Sequence, residues 1–156
     1  MRIGFYMEWD KQNSKGDVIG EELLAETLCR ELRKDDAVTS VDLYAPNFPV
    51  DELLDVMIYL TVDMPPVKSW AKKHVFYWQS ASYGESLDEL FKRFYSYGYD
   101  GYIFFSESLL AYHMDRGHRG LFLPFGVDPS VFSPLGNDRR FACEVSYIGN
   151  DIKGTE

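Results

Sequence analysis

The sequence predicts an α/β domain: a doubly wound, mostly parallel sheet with helices on both faces, Rossmann-like in its layering. Three observations predict it. Short apolar runs alternate with segments of helical period. Most of those runs are continuously apolar, as strands covered on both faces are. No internal repeat or low-complexity stretch interrupts the alternation.

Each element has its own reason. Arg2 to Trp9 reads as a buried first strand, followed by a polar loop from Asp10 to Gly16. Asp17 is a plausible N-cap for a helix running to about Lys34. Ile19, Leu23, Leu24, Leu28 and Leu32 recur along it at helical spacing as its buried face. Val41 to Ala45 is the second strand, stopped by Pro46, and Asp51 to Leu54 a short turn of helix. Val56 to Leu60 is the third strand. Pro65 and Pro66 open a short helix through Lys72, where a missing amide hydrogen is harmless. Val75 to Gln79 is the fourth strand. Ser86 with Glu89 makes a capping box for a helix whose stripe is Leu87, Leu90, Phe91 and Phe94. Tyr102 to Phe105 is the fifth strand, and Ser106 or Ser108 begins a helix to about Arg116. Leu121 to Phe125 is the sixth strand, Pro129 to Phe132 a helical turn, and Val145 to Ile148 a seventh strand.

Composition narrows the function. The chain has 156 residues, 46% of them hydrophobic, enough for one domain with a real core. Its formal charge of −9 repels nucleic acid and anionic lipid surfaces on average. No apolar run approaches the ~18 residues of a membrane span. The start, MRIGFYMEWD, is too short and too polar for a signal peptide. Cys29 and Cys143 are far apart and lack metal-ligand spacing, so they read as reduced thiols of a cytoplasmic protein.

In doubly wound sheets ligands sit beyond the carboxyl ends of the strands. The loops at that edge are 10–17, 61–65, 80–85, 106–108 and 126–128. The first, DKQNSKGD, fails the dinucleotide fingerprint: only Gly16 and Gly20 are present, and Glu21 and Glu22 occupy the positive end of the helix that a phosphate would need. Gly16 and Asp17 belong either to a flexible loop with a good helix cap or to a loop whose backbone contacts a neutral, sugar-like ligand, and the first reading is favoured. Glu8, Asp10 and Asp63 resemble the acidic pocket of a receiver domain, but Phe105-Ser106-Glu107 stands where that family has Lys-Pro. His113 and His118 do not share a helix face, have no companion ligands, and read as surface residues. No metal site is expected.

The loop after the fourth strand is the richest. Gln79, Ser80, Ser82 and Tyr83 offer an amide, two hydroxyls and a phenol. Tyr77, Trp78 and Tyr83 either stack on a sugar face or belong to the core, and the sequence leaves both readings open. Ser106, Glu107 and Asp128 complete the expected ligand-binding edge.

The last third carries the most specific signal. Leu123-Pro124-Phe125-Gly126-Val127-Asp128, with Phe132 and Pro134, resembles the "pNGVD…F.P" segment that joins the two domains of GT-B glycosyltransferases of the family-4 kind (glycosyltransferase group 1). It is most similar to the CgeB-related branch. "VSYIGNDIKG", Val145 to Gly154, resembles the first strand and Gly-rich loop of that family's second domain. The resemblance implies a hexosyltransferase-type enzyme that uses a nucleotide-diphosphate sugar as co-substrate and needs no other cofactor. It implies an acceptor-side domain with its linker over 1–139, whose ligand-binding edge is then an acceptor site, and the opening of a donor-side domain over 140–156. Gly149, Asn150 and Lys153 would then lie near the donor diphosphate, with Asn150 where many members have Arg; Phe125 stands at the motif's Asn. The implied partners are a sugar acceptor and the remainder of the second domain. No catalytic residue is assigned, and residues 1–156 alone are expected to have little transferase activity. The alternatives are a sugar-binding or interaction module of the same fold without catalysis, and a receiver-like signalling domain.

Overall fold

In the computed structural model, residues 1–12, 20–60, 62–79 and 86–126 are described, and Met1–Gly126 forms one compact unit. Six strands, β1 (Arg2–Tyr6), β2 (Ser40–Tyr44), β3 (Leu54–Leu60), β4 (Ala71–Trp78), β5 (Gly101–Phe104) and β6 (Leu121–Phe122), form a single sheet in the order β2-β1-β3-β4-β5-β6. All five pairings are parallel. Three helices accompany them: α1 (Gly20–Leu32), α2 (Leu87–Ser96) and α3 (Glu107–Met114). The α/β fold expected from the sequence is the fold observed.

Side-chain alternation divides the core into two layers. Toward α1 lie Ile3, Phe5, Val41, Leu43, Leu60 and Tyr77, closed by Ala25 and Cys29 of the helix. Burial pushes the Cys29 thiol up to about 11. Toward α2 and α3 lie Tyr6, Met57, Tyr59, Phe76, Trp78 and Phe104, packed against Leu90, Phe91, Phe94 and Leu109. The buried face of α1 is rotated from the expected one. Leu23 is exposed, while Leu24, Leu28 and Leu32 pack against the rim of the core. Ile19 and the expected cap Asp17 lie outside the described residues.

The connection from β3 to β4 has no helix, contrary to the expected one through Lys72. Ala71 and Lys73 are drawn into β4 by pairing with Leu54 and Val56. The Val67 amide donates to the Tyr59 hydroxyl at 3.1 Å, which holds this connection in its irregular path. Asp51–Leu54 likewise makes no helical turn, because Leu54 already opens β3. The capping box of α2 forms as expected: Ser86 Oγ accepts from the Glu89 amide at 3.3 Å, and the Glu89 carboxylate accepts from the Ser86 amide.

At the far edge, β6 is only two residues long. The Leu123 amide donates to the Phe104 carbonyl at 2.9 Å, so the backbone groups of Phe122 and Pro124 face away from β5. The Tyr77 hydroxyl donates to the Leu123 carbonyl at 2.8 Å and pins the end of this strand.

Candidate functional site

The strand order fixes where the site of a doubly wound sheet falls. The chain steps from β1 outward to β2, then returns past β1 to β3 and continues in the other direction. Helix α1 therefore covers one face, and α2 and α3 the other. The reversal lies between β1 and β3, and a crevice opens beyond their carboxyl ends. Residues 7–12, 62–66, Gln79 and 105–108 border that edge among the described residues.

The loop after β1 is held by its own side chains. The Lys11 amide donates to Asn47 Oδ1 at 2.8 Å, and Asn47 Nδ2 returns a bond to the Lys11 carbonyl at 2.9 Å. Gln12 takes the left-handed conformation, with φ 59°, and its amide donates to the Glu22 carboxylate at 3.1 Å. Glu22 thus serves a backbone amide of the chain's own loop. Trp9, 59% exposed, stands at the end of this strand.

Along the sheet, Gln79 is buried directly after β4. The Phe105 amide donates to the Trp78 carbonyl at 3.1 Å, which sets Ser106 beside it at the same edge. Neighbouring strands are about 4.8 Å apart, so Gln79 and Ser106 belong to one stretch of rim. Ser106 is the N-cap residue of α3, yet its side chain makes no cap bond. Its Oγ lies 2.7 Å from Ser108 Oγ instead. Glu107 is exposed in the first turn, where the positive helix end favours a carboxylate. The structure thus brings together three of the sequence-predicted positions: Gln79, Ser106 and Glu107. Gly16, Asp17, Ser80, Ser82, Tyr83, Asp128, Gly149, Asn150 and Lys153 lie outside the described residues.

The structure decides between the two readings the sequence left open: Tyr77 and Trp78 are core residues, each 1% exposed. Among the described residues the exposed rings at this edge include Trp9, Phe48 and Phe125; the Phe125 ring lies 5.2 Å from that of Phe105 at an interplanar angle of 17°. The sequence reading put Trp9 and Phe125 inside strands; both lie past a strand end, where alternation no longer forces a ring inward. His113 is also corrected from surface to core. It is fully buried, and its Nε2 donates to the Arg119 carbonyl at 3.0 Å. That leaves Nδ1 to accept from the Tyr95 hydroxyl at 2.6 Å. Gly117, at φ 81°, turns the chain so that the His118 ring returns to within 5.1 Å of His113 although the two share no helix face.

Asp63 does not join Glu8 and Asp10. It accepts from the Tyr97 hydroxyl at 2.6 Å and pairs with Arg93 at 3.4 Å. Among the described residues no group of three or more His, Cys, Asp or Glu is placed to hold a metal ion. Also among them, no helix is long and apolar enough to cross a membrane. No family model, curated protein or solved structure matches the chain.

Proposed function

We propose that this chain supplies the acceptor-side domain of a glycosyltransferase that moves a sugar from a nucleotide-diphosphate donor to a hydroxylated acceptor. One observation carries the reading. A buried amide, two hydroxyls and a carboxylate (Gln79, Ser106, Ser108 and Glu107) line one carboxyl rim of an all-parallel sheet. The next strand along that rim runs straight into Leu123-Pro124-Phe125-Gly126-Val127-Asp128. An amide, two hydroxyls and a single carboxylate beside exposed rings suit a neutral polyol: its hydroxyls meet the polar groups and its apolar face meets the rings.

The chemistry agrees with such a rim. Glycosyl transfer needs the acceptor hydroxyl oriented toward the anomeric carbon and water kept out, which a cleft between two domains provides. A departing diphosphate needs cations or helix-end amides. The rim described here offers little cationic charge, which suits the acceptor half rather than the donor half. The acceptor is deprotonated by a base that these residues do not identify. Glu107 is the carboxylate to substitute first, because it lies at the rim and is exposed.

The test is a panel of nucleotide-diphosphate sugars with mono- and disaccharide acceptors, products read by mass spectrometry, together with amide shift mapping by NMR. Saccharide-induced shifts at Gln79 and Ser106–Ser108, with little transfer by residues 1–156 alone, are the expected result. Shifts confined to the opposite rim, around Asp55, Lys72 and Asp100, overturn the reading.

A further inference from the structure

A second recess lies away from that rim, on the outer surface of α2 and α3. It encloses about 350 Å³ and is lined by Asp88, Phe91, Lys92, Tyr95, Arg116 and His118. That volume falls within the few hundred Å³ of small-ligand pockets. Phe91 and Tyr95 form an aromatic floor. The His118 ring lies 4.2 Å from the Tyr95 ring at 33°, adding a third flat surface.

The floor is fixed in place. The Tyr95 hydroxyl is held by buried His113, whose other nitrogen holds the Arg119 carbonyl. One wall is fixed as well. The Arg116 guanidinium lies 3.4 Å from the centre of the Tyr112 ring, and its two terminal nitrogens donate to the Tyr112 carbonyl at 3.0 Å and to Asp88 at 2.6 Å. The Tyr112 hydroxyl donates to the same carboxylate. Asp88 is therefore spent on fixing Arg116, and these two bonds hold its carboxyl below the usual range.

Two polar groups in the recess have no such task. Among the described residues, Lys92 and His118 have no hydrogen-bond or ion-pair partner. In a chain of net charge −9, a pocket that joins a free ammonium, an imidazole and a prepositioned guanidinium to an aromatic floor is locally of the opposite sign. We propose that this recess binds a small anion carried on a flat ring, as an aryl phosphate or aryl carboxylate presents it. The ring lies against Tyr95 and His118, and the anionic group meets Lys92 and the outer edge of Arg116. The site is independent of the carboxyl rim and of the activity proposed for it.

The probe is 4-nitrophenyl phosphate, titrated into the folded protein and followed by amide shifts and calorimetry. Inorganic phosphate and neutral 4-nitrophenyl glucoside serve as comparisons. The expected result is saturable shifts at Lys92, Tyr95 and 116–119, with binding at least ten-fold tighter than for either comparison compound. The double variant Lys92→Ala/His118→Ala should weaken binding at least ten-fold. Both side chains are exposed, so the fold is retained, and an unchanged thermal melt checks that. Equal affinity for inorganic phosphate removes the ring from the proposal and overturns it. Equal affinity for the neutral glucoside removes the anion and does the same. Affinity unchanged in the double variant, or shifts only elsewhere, shows the recess is not the site.

Discussion

The two faces of the sheet solve one packing problem in different ways. The α1 face is mainly aliphatic: Ile3, Val41, Leu43, Leu60, Ala25 and Cys29 meet with Phe5 and Tyr77, and only the Tyr77 hydroxyl needs a directed partner, the Leu123 carbonyl. The opposite face is built from rings: Phe76 touches Trp78, Phe94, Tyr99 and Tyr102, with centroids 4.6 to 6.5 Å apart. Its tyrosines carry hydroxyls that each need a partner. Tyr99 finds the Met64 carbonyl at 2.7 Å, Tyr97 finds Asp63, and Tyr95 finds His113. The aliphatic layer is specified by volume, and the aromatic layer by volume and by a set of directed bonds. That explains how the aromatic face manages without a helix between β3 and β4. Tyr59 and Tyr99 tie that irregular connection down through Val67 and Met64.

The comparison is broken hardest by removing a ring. Phe76→Ala should cost about 3–5 kcal/mol, and Leu43→Ala on the other face about 2–4 kcal/mol, in urea unfolding followed by fluorescence. Equal costs, or a larger one for Leu43, would show that the ring network adds nothing beyond area. Gly4→Ala is next. A methyl there would meet Leu54 Cδ1 at 2.6 Å and Met57 Cε at 2.9 Å on the aromatic face. Overpacking of this kind should cost about 1–3 kcal/mol, because flexible side-chain ends have to move rather than backbone.

A pH series sharpens the contrast, since both buried histidines belong to the aromatic side. The Tyr59 hydroxyl accepts from Val67 and gives its own proton to His74 Nδ1, 3.2 Å away, while His74 Nε2 has no partner. Burial, with help from nearby Lys68, lowers the His74 pKa from 6.5, although Asp100 opposes this. Burial also lowers that of His113. With the folded values depressed, the unfolded chain binds more protons between those values and 6.5. Stability is therefore complete above pH 6.5 and declines as pH falls below it. His74→Phe should flatten the part of that slope that His74 contributes, and an unchanged slope would rule it out as a source. Smallest is Ser86→Ala, which breaks the α2 capping box and should cost about 1 kcal/mol in the same unfolding assay.

Strands were legible in the sequence because burial on both faces leaves continuous apolar runs, and all six were found within a few residues of their ends. The helix expected through Lys72 failed because local propensity pointed one way and pairing with β3 the other, and pairing won. The register of α1 was misread because five leucines and isoleucines offered more apolar positions than its contact with β1 and β2 uses. Of the rim, Gln79, Ser106 and Glu107 followed from the rule for parallel sheets. The recess on α2 and α3 had no such rule. Its parts lie 28 residues apart at Asp88 and Arg116. It depends on Gly117 turning His118 back over Tyr95, which spacing along the chain does not reveal.

Pro124 has a consequence beyond its own strand. With Leu123 bonded to β5, the nitrogen of Pro124 falls on the outward side of β6, where the next strand of a growing sheet would seek a donor and find none. A short parallel edge with apolar side chains invites self-propagating addition of further chains. Here the ring of one residue removes one donor from that edge, while the outward amide of Phe122 keeps its own.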